Sequence, residues 1–174
     1  MKRKDIKVRI RDHFLLNPTA RLRVREIERK TSCPLPSVIR YTGELEKEGI
    51  LKETNISGVR LYSADRSSER FLLAKRLYNL ESLYSSVLVD HLRRELSNPV
   101  IVLFGSYSRG EDVEGSDIDL YIESSGRPDL GVFEKRLGRR IQLFMHRNIK
   151  EVRNKELANS IVNGIPLNGF IEVF

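Results

Sequence analysis

Val100-Ile101-Val102-Leu103-Phe104, followed by GSYSRGEDVEGSDIDLYIE over residues 105–123, is the stretch whose reading decides the fold. The apolar run follows Pro99 and predicts a strand buried on both faces. Ile118-Asp119-Leu120-Tyr121-Ile122 predicts a second strand, where alternate side chains share a face. Asp117 and Asp119 then project together while Ile118 points to the core. Two close carboxylates repel unless a cation sits between them, so Mg2+ or Mn2+ is their expected partner. Gly105 lets the backbone turn closely beneath a phosphate. Ser106 supplies a hydroxyl and an amide at the start of a helix, where anions are favoured. Arg109 can neutralise a phosphate oxygen. Taken singly, each feature has an ordinary reading: a common Gly-Ser turn, a solvated Asp-x-Asp strand end, an Arg109 paired with Glu111 or Asp112. Their combination, directly after a buried strand, is much rarer.

The order apolar strand, Gly105-Ser106, ten residues, Asp117-Ile118-Asp119 resembles the signature of the polymerase-beta-type nucleotidyltransferase superfamily. By size it is most similar to the small stand-alone members called minimal nucleotidyltransferases. The resemblance spans residues 99–174. It implies a small α/β domain with a mixed sheet, a nucleoside triphosphate substrate and a Mg2+ or Mn2+ cofactor. It implies Asp117 and Asp119 as the catalytic, metal-binding carboxylates, and Gly105, Ser106 and Arg109 as nucleotide-binding residues. It also implies a third carboxylate on a later strand, which completes metal binding and activates the attacking hydroxyl. The matching strand is Arg140-Ile141-Gln142-Leu143-Phe144, and Gln142 stands where that acid belongs. A neutral amide cannot act as a carboxylate base. Glu123 and Glu134 are the candidate substitutes, with no sequence reason to lie there. The C-terminal LANSIVNGIPLNGFIEVF predicts a helix through Val162, stopped by Asn163-Gly164, then a short terminal segment. It resembles the tail of small archaeal-type nucleotidyltransferase proteins that carry an N-terminal winged helix.

Working toward the N-terminus, residues 67–98 are expected to form one long linking helix, broken by Ser97-Asn98-Pro99. Leu73, Leu77, Leu80, Tyr84, Val87 and His91 alternate spacings of four and three, a heptad-like seam. That seam is expected either to pair two copies as a homodimer through residues 67–96 or to pack on neighbouring domains.

Residues 1–66 predict helices and then a hairpin. From Lys4 to Leu16, Ile6, Ile10 and Phe14 mark one apolar face, ended by Asn17-Pro18. An extended piece at Arg21-Leu22-Arg23 and a short helix from Val24 to Lys30 follow, with Val24 and Ile27 inward. Pro36 suits the first position of a third helix that runs to Glu48, with Val38, Thr42 and Leu45 inward and Gly49 ending it. Gly43 weakens that helix unless something packs closely there. Leu51–Thr54 and Arg60–Ser63 are expected strands around Asn55-Ile56-Ser57-Gly58. The stretch PSVIRYTGELEKEGILKE resembles the recognition helix and first wing strand of the winged helix-turn-helix family, over residues 4–65. That resemblance implies duplex DNA as a partner, with Ser37, Arg40 and Tyr41 on the exposed face of the third helix and Arg60 beside the hairpin tip. Dimerisation or docking of a protein is the other role such a module can take.

Composition supports two modules. Of 174 residues, 40% are hydrophobic and 32% charged, which permits a core and argues against wholesale disorder. Residues 1–66 hold 16 Lys/Arg against 9 Asp/Glu, whereas residues 99–174 hold 10 against 11. The excess positive charge in the first third suits a polyanion. One cysteine, Cys33, excludes an internal disulfide framework and a Cys-rich zinc site, and His13, His91 and His146 show no ligand spacing. No apolar run is long enough to cross a bilayer, and the basic start lacks the apolar stretch of a signal peptide, so a cytoplasmic protein is expected. The expected class is α+β: winged helix-turn-helix (1–66), linking helix (67–98), nucleotidyltransferase domain (99–174). Two functions follow. One is an enzyme moving a nucleoside monophosphate to an acceptor hydroxyl. The other is a non-catalytic DNA-binding regulator or antitoxin whose second domain senses nucleotide or docks a protein, including a toxin. Gly105, Ser106, Asp117 and Asp119 favour the first; Gln142 and the basic first domain favour the second.

Overall fold

The computed structural model describes residues 6–173. The expected helix start at Lys4 and the basic stretch 1–5 lie outside them. The chain divides into two compact units, Met1–Tyr78 and Asn79–Phe174.

In the first unit α1 (Ile6–Leu16), β1 (Arg21–Leu22), α2 (Val24–Thr31) and α3 (Leu35–Lys47) precede a hairpin of β2 (Leu51–Ile56) and β3 (Val59–Ala64). This is the order read from the sequence. Ile10, Phe14, Ile27, Val38, Leu45, Leu51 and Phe71 are buried in one core, with Ile6 and Val24 packed at its edge. Thr42 is buried with its hydroxyl donating to the Val38 carbonyl at 2.8 Å, so the polar group is satisfied. Gly49 ends α3 at φ +70, and Ile50 N–H returns to the Leu45 carbonyl. Nothing lies within 4 Å of a Cβ built at Gly43, so no close packing explains that glycine. The strands run further than expected, because the turn is only Ser57-Gly58. Both residues have positive φ, and Ile56 pairs with Val59. The sheet order is β1-β3-β2, all antiparallel.

The single linking helix over residues 67–98 is corrected by the structure. There are two helices, α4 (Glu69–Ser85) and α5 (Leu88–Glu95). Val87 between them is left-handed at φ 59. Ser86 Oγ holds the break, donating to the Leu83 carbonyl at 2.6 Å and accepting from Leu88 N–H at 3.2 Å. The seam is therefore not continuous. Leu73, Leu77 and Tyr84 are exposed on α4, Leu80 packs on the core of the second unit, and His91 lies on α5 with its ring 4.8 Å from Phe133. The chain also gives no separate linking segment. Phe71 belongs to the first core, and Leu83, Leu88 and Leu92 to the second.

The second unit is built on β4 (Ile101–Phe104), α6 (Gly105–Arg109), β5 (Ile118–Glu123), α7 (Gly131–Leu137), β6 (Ile141–His146), α8 (Lys155–Val162) and β7 (Ile165–Asn168). Its sheet has the order β6-β5-β4-β7, with β5–β6 parallel and the other pairs antiparallel. All of β4 is buried, as its apolar run demands. Ile101, Leu103, Ile118, Leu120 and Ile122 face one core with Phe133 of α7 and Leu88 of α5. Val102, Phe104 and Tyr121 face another with Ile149 and Ile161 of α8. The short terminal segment expected after that helix forms edge strand β7, where Pro166 is tolerated. Gly164 admits it: a Cβ there would lie 2.6 Å from the Leu103 carbonyl oxygen.

Candidate functional site

The site forms where β4 ends. Gly105 has φ +74, a conformation that side chains resist, and it opens the short helix α6. A Cβ at Gly105 would overlap the Asp119 carboxylate and lie 3.2 Å from its Cγ. Gly105 thus makes room for a carboxylate, a second reason for glycine beside the phosphate approach expected from sequence. Phe104 pairs with Asp119 in the sheet, which brings the turn and the acid together.

Asp117 precedes β5 and Asp119 lies within it, on the side of the sheet opposite Ile118, Leu120 and Ile122. Burial pushes the Asp119 carboxyl above its ordinary range, the Asp117 charge adds to this, and Arg109 opposes it. The two aspartates therefore repel through a partly desolvated medium, the situation a cation relieves. Ser106 is partly buried, and its carbonyl accepts from Gly110 and Glu111 N–H. Arg109 is exposed and pairs with Glu111 at 2.7 Å. It reaches Asp119 only as a distant favourable charge.

The position of Gln142 is resolved. It is the register partner of Asp119 on the parallel neighbour β6, where paired residues face the same side, and it is exposed. Neither substitute acid replaces it. Glu134 accepts from Ile141 N–H at 2.8 Å at the start of β6. Glu123, at the far end of β5, accepts from the Tyr121 hydroxyl at 3.0 Å and pairs with His146. Among the described residues no group of three or more His, Cys, Asp or Glu could hold a metal ion. The arrangement offers two carboxylates, one short of the expected set.

The sequence reading did not single out Arg139, and weighed Asp112 only as a partner for Arg109. Arg139 Nη2 meets Asp112 Oδ2 at 2.9 Å, with side chains 7% and 0% exposed. Its Nη1 donates to the Ser116 carbonyl at 3.0 Å and to the Val113 carbonyl. The guanidinium lies 5.6 Å from the Tyr107 ring centroid, and Asn79 Nδ2 donates to Asp112 Oδ1 at 2.7 Å. Together these pin residues 110–117, the loop between α6 and Asp117. The only sequence hint was an acid in a Gly-flanked loop; its partner arrives after α7 with no spacing rule to announce it.

In the first unit, Arg40 is exposed and paired with Glu44 at 2.9 Å, with its guanidinium 5.2 Å from the Tyr41 ring. Ser37 and Tyr41 are half-buried on α3, and Tyr41 packs at the edge of the first core. Arg60 is exposed opposite Asn55, next to the turn, with Glu53 at 3.5 Å.

Residues 86–167 match the nucleotidyltransferase domain family. No curated protein matches the chain. Among solved structures it is similar to a crystal structure of an IclR family transcriptional regulator from Brucella abortus, with 22% identity and a TM-score of 0.35. That likeness covers 57% of this chain and 37% of the regulator's. No helix among the described residues is long and apolar enough to cross a membrane.

Proposed function

We propose that the second unit binds a nucleoside triphosphate with Mg2+ or Mn2+ at Asp117 and Asp119 and transfers the nucleoside monophosphate to an acceptor hydroxyl. The observation that carries this is the fit of the Asp119 carboxylate over Gly105, beside Asp117 and the start of α6. The residues present suit a divalent ion, because Asp117 and Asp119 would offer it hard carboxylate oxygens. A bound ion would neutralise charge that develops on the phosphate. Asp117 and Asp119 would hold that ion, and Ser106 offers a hydroxyl to a phosphate oxygen. Arg109 adds positive charge when it turns from Glu111. The acceptor oxygen bonds to the α-phosphorus, the bond to the β-phosphate bridge breaks, pyrophosphate leaves, and the hydroxyl proton passes to solvent. Gln142 cannot take that proton.

Gln142 also favours a second reading, in which the site binds nucleotide without turnover and the chain acts as a regulator or antitoxin with a protein partner. In both readings the first unit is a winged helix-turn-helix that meets duplex DNA through α3 and the hairpin. Arg40 on α3 and Arg60 beside the hairpin tip are among its exposed cations, and Ser37 and Tyr41 flank Arg40.

The shared premise is tested by calorimetry with triphosphate and Mg2+. Asp117→Asn with Asp119→Asn removes two formal charges and nearly keeps size, so the fold is expected to survive. Wild type is expected to bind and the double variant to lose binding at least tenfold; equal binding by both would sink the site. Labelled triphosphate then separates the readings. A metal-dependent product lost in the double variant marks an enzyme. Binding without product marks a sensor.

A further inference from the structure

The solvent face of the first unit's sheet carries a cavity of about 450 Å³ that α3 and the tip of the hairpin do not border. Its walls come from the turn after α1, from all three strands and from the segment before α4, and include Thr19, Arg21, Lys52, Ser63, Arg66 and Ser67. Arg21 pairs with Ser63 across one side of β3, and Lys52 pairs with the same Ser63 across the other. Register partners share a face, so the two cations flank one serine, on the side opposite the buried Leu22, Tyr62 and Leu51. Strands are about 4.8 Å apart, which leaves about 10 Å between the outer two, a gap long side chains close onto a small anion. Arg66 supplies a third positive charge from the segment after β3. None of the three makes an ion pair among the described residues. The nearest acid in sequence, Asp65, accepts from Ser67 Oγ at 2.8 Å. Three cations converging on one polar cavity repel each other without a counter-charge. Lys52 and Ser63 stand at the foot of the hairpin, about 15 Å from its Ser57-Gly58 tip at the usual rise per residue.

We propose that this cavity is a phosphate site: Arg21, Lys52 and Arg66 hold one phosphoryl group, with Ser63 as hydroxyl donor. The guanidiniums suit the oxygens of a phosphate in bidentate geometry, and Lys52 adds a point charge. The phosphoryl group comes from a free phosphate ester or from a DNA backbone. The site does not require the DNA-binding reading, because a free phosphate ester fills it equally; Lys52 and Ser63 belong to the foot of the hairpin, off α3 and off the tip.

The experiment uses the whole chain, nitrogen-15 labelled, titrated with inorganic pyrophosphate in the absence of divalent ions. Backbone shifts at Ser63, Arg66 and Ser67 are expected to saturate. A variant with Arg21→Ala, Lys52→Ala and Arg66→Ala, all exposed positions, is expected to weaken those shifts at least tenfold. In Lys135→Ala, on α7, they should stay as in wild type. Duplex DNA titrated at several salt concentrations identifies the source. If DNA supplies the phosphate, the triple variant lowers the log–log salt slope by about 2–3, near 0.9 per lost contact. If a free ester does, the slope is unchanged while the pyrophosphate response is still lost. A chain that binds no DNA but keeps the pyrophosphate response retains the site and loses only the DNA reading. Absence of saturable shifts in wild type, together with an unchanged DNA slope in the triple variant, overturns the proposal.

Discussion

Single side chains settle what the motif left open. Arg139 is the sharpest case, since it touches neither proposed metal ligand yet holds the loop that presents Asp117. Its partner Asp112 is fully buried, and breaking a buried ion pair from one side is strongly unfavourable. Arg139→Met is expected to lower stability by about 3 kcal/mol and to weaken cation-dependent nucleotide binding while the chain is still folded. Denaturant unfolding and calorimetry read the two effects separately; a loss under about 1 kcal/mol would show that the pair merely decorates the loop. His13 gives a pH dependence. Burial lowers its imidazole pKa, Lys30 adds to this, and its Nε2 has no hydrogen-bond partner among the described residues. The folded group is thus harder to protonate than the unfolded one at 6.5. Stability is full above that value and falls as pH drops below it, because the unfolded chain binds the proton first. The drop in Tm from about pH 7.5 to about pH 5.5 is expected to be smaller in His13→Gln than in wild type. Equal drops would mean that His13 is protonated as readily folded as unfolded.

At the scale of elements, legibility followed periodicity. α1 and α3 were readable because Ile10 and Phe14, or Val38, Thr42 and Leu45, repeat on one face, and the structure buries those residues. β4 was readable because a strand covered on both sides must be apolar throughout. The break at Ser86-Val87 was not, because nothing in a Ser-Ser-Val run announces a left-handed residue; the serine hydroxyl and the packing of Leu83 and Leu88 impose it. The pairing of β7 with β4 was hidden for a similar reason, since a short Pro-containing segment carries no strand pattern until a neighbour supplies the ladder. The Asp-x-Asp pair and Gly105 were legible by spacing, and Gln142 by its place in a strand. The Arg139 clamp depends on a contact between residues 27 apart, Asp112 and Arg139, which sequence pattern does not encode. Gly43 carries the prediction at this scale. It lies inside α3 with open space where a Cβ would go, and its φ is not positive. Gly43→Ala is therefore expected to stabilise the first unit by about 1 kcal/mol, from helix propensity alone. Thermal unfolding would show a rise of about 2–4 °C. A fall would mean that α3 needs that glycine for a contact the folded chain does not display.

For the whole molecule, charge and assembly decide how the two units act together. The positive excess sits in residues 1–66, so the proposed DNA affinity is expected to belong to the first unit and to fall with salt. On α3, Arg40 already shares its charge with Glu44. Two linked copies bind a duplex more tightly than one, because the second contact becomes intramolecular. The exposed apolar residues on α4 supply a means. Leu73 and Leu77, each 57% exposed, are four residues apart and adjacent on the helix surface. Unlike Val87 and His91, they lie before the break and remain on one straight face. We expect the chain to sediment as a homodimer at tens of micromolar, where weak self-association is populated. Leu77→Lys should convert it to a monomer with Tm nearly unchanged, since Leu77 contributes little to either core. The same substitution should weaken binding to a palindromic duplex at least tenfold and leave the salt slope per protomer unaltered, because no phosphate contact is removed. Sedimentation and DNA titration of one preparation check both effects. A monomeric wild type, or a monomeric Leu77→Lys variant that binds the palindrome as tightly as wild type, would mean that α4 does not join two copies for DNA binding.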